Sequence, residues 1–381
     1  MNEEIKITWK GNTNNISDLI VGKAKNIFLS NGLTTIEFIG KDIRSQKELT
    51  FYLTESEKLE LPGIHSIKDL KDIELGDIIV AKNRSIRSIF RVNSNTNSVF
   101  ATQRCNSNCL MCSQPPIDVD DTYNNYLVWD YAIDLIDIDI TFINITGGEP
   151  TILGDYLVKL INKFLDKFKN LRIDVLTNGR LPAKDSYLEI LKKIKEPHRV
   201  VFAVPLYSDL YYQHDYIVQA KDAFHQTCLG IHNLGDLGFL IEIRIVLHNL
   251  SVERLAPLSN FIHRNFPFVY HVTFMGLEII GYTKANKDKL IIEDNNAFLK
   301  NLEEALTYLS KWKYNVSIYN TPLCHLPESL WKFARKSISE WKNSYHNDCK
   351  LCKMKPYCSG FFSWNLNNAK VKPIGEEKII N

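Results

Sequence analysis

Three cysteines, Cys105, Cys109 and Cys112, fall within one short stretch, "QRCNSNCLMCSQPP". Gaps of three and two residues let a single loop wrap a cuboidal iron–sulfur cluster, whose irons prefer thiolate ligands. Three thiolates for four irons leave one iron open, and an open position separates a catalytic metal site from a closed structural one. The competing readings are a zinc loop, which needs a fourth ligand from elsewhere, and three unrelated thiols.

A second group, Cys324, Cys349, Cys352 and Cys358, lies in "CHLPESL" and "DCKLCKMKPYCSGFF". Four thiolates in two segments can close a metal site completely; the readings are structural zinc or an auxiliary [4Fe-4S] cluster. The remaining thiol, Cys228, reads as a small buried apolar residue, and His225 and His248 as structural. Between the cysteine groups, "ITFINITGGEP" ends a strand with Gly147, Gly148, Glu149 and Pro150. Two glycines at a strand end allow a backbone to approach a ligand closely, and Glu149 adds an acceptor for an ammonium group.

These residues need a scaffold. Residues 1–97 read as a small β-rich domain, with "EIKITWK", "TTIEFIG", "ELTFYL" and "GDIIVAK" as strands between Gly, Asn and Asp. From residue 98 strand-like runs alternate with amphipathic helices: 98 to 102, "ITFINIT", "RIDVLTN", "RVVFAVPLY", "FLIEIRIVLHN" and "FVYHVTFMG". Over 155 to 169, Leu157, Leu160, Ile161, Phe164, Leu165 and Phe168 repeat at helical period. Such alternation predicts an α/β fold with a parallel sheet. Six units fall short of the eight of a closed barrel, so 98–287 reads as an open, partial (β/α)6 TIM-like barrel with its site at the C-terminal strand ends. Residues 288–365 form a C-terminal helical and cysteine-rich extension containing a short strand, "NVSIY", and 366–381 a loose tail.

Charge excludes little but directs much. The net formal charge of +2, with no long basic run, does not suggest a nucleic-acid partner. The start, "MNEEIKITWK", lacks the basic and then apolar pattern of a secretory signal, so a cytoplasmic location is expected. The most apolar run, "LGFLIEIRIVLHNL", is interrupted by Glu242 and Arg244; it reads as a buried strand and no membrane association is expected. Arg244 in that strand needs a partner; the reading places Glu242 on the opposite face and leaves Arg244 for a ligand carboxylate.

The cysteine loop, placed after the first barrel strand and followed by Gly-Gly-Glu-Pro after the second, resembles the radical S-adenosylmethionine (radical SAM) enzymes. The resemblance implies a [4Fe-4S] cluster on Cys105, Cys109 and Cys112 that cleaves S-adenosylmethionine reductively to methionine and a 5′-deoxyadenosyl radical, fed by a donor such as flavodoxin or ferredoxin. It implies that Met111 lies near the adenine, that Gly147 to Pro150 receive the amino group, and that Ser208, Arg244 and Asn249 contact ribose and carboxylate. The second cysteine group resembles a SPASM or twitch extension with fewer cysteines. "CNSNCLMCSQPP", "PLYSDLYYQHDYIVQAKDAFHQT" and "CHLPESLWKFARKSISEWKN" further resemble the His-Xaa-Ser system maturases of the HxsC type. That implies a peptide substrate of His-Xaa-Ser repeats, ribosomally made, and a sister radical SAM maturase as partner. The other readings are a radical SAM enzyme for a nucleoside or small molecule in cofactor biosynthesis, and a non-catalytic zinc or iron–sulfur protein.

Overall fold

The computed structural model describes residues 5–16 and 19–375. Eight strands form the N-terminal sheet: β1 (Thr8–Lys10), β2 (Asn12–Asn14), β3 (Leu19–Ser30), β4 (Leu33–Asp42), β5 (Glu48–Thr54), β6 (Gly63–His65), β7 (Ile78–Lys82) and β8 (Ser85–Phe90), in the order β1-β8-β7-β3-β4-β5-β6-β2. The longest, β3, is absent from the sequence reading. Its alternate residues serve two cores: Ile20 and Ala24 join Trp9, Phe38 and Phe51 inside the domain, while Leu19 and Val21 join the main core of the chain.

The second sheet is parallel and open, with seven strands: β9 (Ser98–Phe100), β10 (Phe142–Thr146), β11 (Arg172–Leu176), β12 (Val200–Pro205), β13 (Leu240–Leu247), β14 (His271–Gly276) and β15 (Val316–Tyr319), side by side in chain order. Six match the expected barrel strands. The seventh is the "NVSIY" segment assigned to the extension, which pairs in parallel with β14 through Val272 and Val316.

Helices cross between the strands: α1 (Thr122–Leu135), α2 (Asp155–Lys167), α3 (Asp185–Leu191), α4 (Tyr211–Val218), α5 (Ala223–Asp236), α6 (Asn249–Val252), α7 (Leu255–Asn265), α8 (Tyr282–Ala285), α9 (Lys287–Leu290) and α10 (Asn295–Lys311). In α2 the apolar stripe Leu157, Leu160, Ile161, Phe164 and Leu165 is buried, with Asp155 in its first turn and Lys167 in its last, each favourable to the helix dipole. Along β13, Ile241, Ile243, Ile245 and Leu247 are buried in the apolar core. The intervening Glu242, Arg244 and Val246 alternate to the lumen face. Two short strands, β16 (Asn343–Ser344) and β17 (Phe361–Phe362), pair in the extension.

Candidate active site

The chain leaving β9 is fixed before it reaches the cysteines. The Thr102 hydroxyl donates to Asp121 Oδ1 at 2.5 Å, and the Gln103 amide donates to Asp121 Oδ2 at 3.1 Å. Backbone bonds then tie this stretch to the strand-end glycines: Gly148 N to Thr102 O at 2.7 Å and Glu149 N to Arg104 O at 2.8 Å. The glycines face their own chain. A Cβ on Gly148 would lie 2.6 Å from the Arg104 carbonyl carbon and 2.9 Å from Gln103 O; one on Gly147, whose φ is +153°, would lie 2.7 Å from Thr102 O. Their lack of a side chain lets the second strand end pack on the root of the cysteine loop.

Glu149 is buried and fully engaged. Oε1 accepts from Thr151 N at 2.9 Å, Thr151 Oγ1 at 2.6 Å and Thr177 Oγ1 at 2.6 Å, and Oε2 accepts from Asn178 N at 2.7 Å. Burial raises its pKa against the lowering effect of those donors. Pro150 opens the short 3-10 turn Pro150–Leu153 that Glu149 caps.

The cysteine loop is gripped from three sides. After β11, Asn178 Nδ2 donates to Asn106 Oδ1 at 2.5 Å and lies 3.9 Å from Cys105 Sγ, while Arg180 Nη1 donates to Asn106 O and to Ser107 Oγ. Beside α4, Asn108 N donates to Val218 O and Leu110 N to Ile217 O, both at 3.0 Å. After β14, Tyr282 N donates to Cys112 O at 2.9 Å and Asn286 Nδ2 to Leu110 O at 3.0 Å. Asn178 and Arg180 carry no cysteine or glycine motif of their own; the only signal in the sequence is polar side chains at the third strand end, in "LTNGR".

All three thiols are half-buried and free. Burial, with Glu149 next, pushes the Cys105 thiol up to about 11; burial, with the charges of Cys112 and Cys105 next, pushes Cys109 up to about 12. Such thiols ionise only beside a strong positive charge, which a metal supplies.

Residues 99–262 match the family model described as the Radical SAM superfamily. This stretch is a radical SAM domain. No curated protein matches the chain significantly. Among solved structures it is similar to Streptococcus suis SuiB bound to S-adenosylmethionine, at 18% identity and a TM-score of 0.46 over 61% of this chain and 51% of that one. It is also similar to a radical SAM methyltransferase from Sphaerobacter thermophilus, at 13% identity and a TM-score of 0.42 over 78% and 77%. Coproporphyrinogen III oxidase (HemN) of Escherichia coli gives 13% identity and a TM-score of 0.45 over 57% and 53%. The chain thus spans about half the length of SuiB.

The family implies a [4Fe-4S] cluster and S-adenosylmethionine. Among the described residues no group of three or more His, Cys, Asp or Glu side chains is arranged to hold a metal ion, so the fit rests on donor chemistry. Three thiols on one loop, each pushed up by burial, suit a group that binds thiolate and supplies the charge to keep it ionised.

The lumen of the open sheet, extending to the N-terminal domain and the extension, is a cavity of about 810 Å³ whose lining includes Met111, Ser113 and Gln114 from the cysteine loop together with Arg244. Ser208 and Asn249 are placed elsewhere. Ser208 is buried, donating to Gln213 Oε1 at 2.7 Å and accepting from Leu210 N at 3.0 Å; Asn249 is exposed at the start of α6. For Arg244 the strand geometry corrects the sequence reading. Residues two apart on a strand share a face, and Arg244 Nε pairs with Glu242 Oε1 at 2.5 Å, while Glu242 Oε2 meets His271 Nδ1 at 2.8 Å and His271 Nε2 meets Ser317 Oγ at 3.0 Å. Glu242 is held down to about 2, burial being outweighed by Arg244 and His271.

Cys324, Cys349, Cys352 and Cys358 line one small cavity with Tyr345 and Lys372. Leu323 N and Gly360 N donate to Cys358 Sγ and Ile374 N to Cys352 Sγ, each at 3.4 Å. Val371, Lys372 and Ile374 belong to the segment read as a loose tail; they pack on these thiols, while 376–381 lie outside the described residues.

Proposed function

We propose that this chain is a radical SAM enzyme that cleaves S-adenosylmethionine reductively and modifies a ribosomally synthesised peptide by hydrogen abstraction. The observation that carries the reading is the Cys105, Cys109 and Cys112 loop, tied at the C-terminal end of the first barrel strand beside a lumen large enough for a cofactor and part of a substrate. When bound, the cluster and S-adenosylmethionine supply the electron and the 5′-deoxyadenosyl radical. The protein supplies position. Cys105, Cys109 and Cys112 hold the cluster; Asp121, Asn178 and Arg180 keep their loop fixed; Glu149 orders the strand-end turn beside it. Met111 lines the chamber where the adenine is expected.

Arg244 and Glu242 form an internal pair, so a cofactor carboxylate at Arg244 would share the guanidinium with Glu242. Gly147, Gly148 and Pro150 shape the turn, and a role for Ser208 or for Asn249 toward ribose would require that residue to move to the lumen. The four C-terminal cysteines suit an auxiliary [4Fe-4S] cluster, with zinc as the alternative; iron and zinc analysis of the Cys105→Ala/Cys109→Ala/Cys112→Ala variant reads that site alone.

The peptide is of the His-Xaa-Ser repeat type, with a sister radical SAM maturase and a flavodoxin or ferredoxin as partners and the cytoplasm as location; no described helix is long and apolar enough to cross a membrane. The test is mass spectrometry of a synthetic His-Xaa-Ser repeat peptide after anaerobic incubation with reconstituted protein, S-adenosylmethionine and dithionite. A mass change that requires Cys105 supports the reading. An unchanged peptide, with S-adenosylmethionine still cleaved, would transfer the activity to another substrate class.

A further inference from the structure

The sheet is open, its edges being β9 and β15, and the lumen cavity reaches this gap. One flank is the N-terminal domain, through Ile7, Arg87 and Ile89. The other is the extension, where Ala334 bridges in parallel to Ile318 of β15 and Arg335 N donates to Ile318 O at 2.9 Å, carrying Lys336 and Ile338 along the cavity.

Most of the charges on this cavity are already matched. Arg172 pairs with Asp174 at 2.9 Å, Arg244 with Glu242 at 2.5 Å and Lys342 with Glu278 at 3.0 Å, while buried Arg91 Nε lies 4.0 Å from Asp77 and makes no hydrogen bond among the described residues. Arg335 donates to the Lys332 and Ala334 carbonyls, and Lys336 to the Pro356 carbonyl. Arg87 differs: among the described residues it has no carboxylate and no hydrogen-bond acceptor, and its guanidinium stands over the Phe100 ring, 5.3 Å from the centroid. It is exposed on β8 and opens to the cavity, where the neighbouring protein lowers its pKa by desolvation. A guanidinium whose five donors have no protein acceptor can offer two of them at once to a planar anion.

We propose that Arg87 receives a carboxylate of the substrate at the side opening of the barrel, so that the N-terminal domain forms one wall of the substrate chamber. The proposal rests on the reading of this cavity as a peptide-modifying site. A carboxylate could come from an acidic side chain or from a chain end, and the ring of Phe100 beneath the guanidinium leaves its edge free for either.

Three fluorescent twelve-residue peptides separate these sources: one of alternating Ser and Glu with an amidated end, its Ser and Gln twin with an amidated end, and that twin with a free carboxyl end. In anisotropy titrations against the full-length protein, a carboxylate-bearing peptide should bind roughly tenfold tighter than the amidated Gln peptide, the gain of a charge-assisted bond. Preference for the Glu peptide assigns a side chain, and preference for the free end assigns a terminus. Arg87→Gln should erase the preference, while Arg87→Lys, which keeps the charge and loses the fork, should retain part of it. Equal binding of all three peptides, or a preference that survives Arg87→Gln in folded protein, overturns the proposal. Cysteine-dependent 5′-deoxyadenosine formation by the unaltered protein, measured separately, distinguishes failure of this subsite from failure of the enzymatic reading.

Discussion

Replacing Glu149 by Ala tests whether this carboxylate is a structural tie. Four donors point at it: the hydroxyls of Thr151 and Thr177, which can rotate to other acceptors, and the amides of Thr151 and Asn178, which cannot. An unsatisfied buried donor costs about 1–3 kcal/mol. Two fixed amides therefore set roughly 2–6 kcal/mol, and relief of the carboxylate's own desolvation, together with water access at half-buried Asn178, brings the expected loss to about 2–4 kcal/mol. Urea unfolding of the metal-free protein, followed by tryptophan fluorescence, measures it. Backbone amide exchange should rise at Thr177 to Arg180, the segment that grips the cysteine loop. An unchanged unfolding midpoint and unchanged exchange, with S-adenosylmethionine binding lost, would refute the reasoning and show the carboxylate free to receive an ammonium group.

Gly148→Ala puts a methyl group 2.6 Å from the Arg104 carbonyl carbon; stability should fall by about 1–3 kcal/mol, and iron retained after reconstitution should fall with it, against a normal value if the loop can yield. Asn178→Leu removes the N–H that lies 3.9 Å from Cys105 Sγ, and the reconstituted cluster should titrate at a lower reduction potential, as loss of a hydrogen bond to sulfur predicts; an unchanged potential contradicts the contact. His214 is held down to about 3 by burial, and its Nδ1 accepts the Tyr207 amide at 3.3 Å, so it folds neutral. Because the unfolded chain takes this proton near the ordinary 6.5, stability should fall by about 1.4 kcal/mol per pH unit from this group as pH drops from about 6.5 toward 3; His214→Gln should flatten that slope, and an identical slope refutes the assignment.

The candidate cluster loop was the most legible part of the site. Cys105, Cys109 and Cys112 declare themselves by residue type and spacing, and alternation of strands and helices fixes the end of the sheet at which they stand. The clamp of Asn178 and Arg180 was not readable, because its partners are Asn106 and Ser107, more than 70 positions away. Gly147 and Gly148 signal close approach correctly, but sequence cannot tell whether a ligand or the chain itself approaches. Strand β3 escaped because its two faces feed different cores, one of them shared with α1, which blurs simple alternation. The pairing of Glu242 with Arg244 follows from the two-residue period of a strand; it required only the right face. The seventh strand was seen as a strand and assigned to the wrong body, since only pairing with β14 reveals membership of the sheet.

The central claim is radical chemistry at the first cysteine loop. Its most direct measurement is 5′-deoxyadenosine by mass spectrometry from anaerobically reconstituted protein with S-adenosylmethionine and dithionite, beside the Cys105→Ala/Cys109→Ala/Cys112→Ala variant. The account predicts product from the first and none from the second. Equal product from both, or none from protein that holds its iron and has been given the peptide, would contradict it.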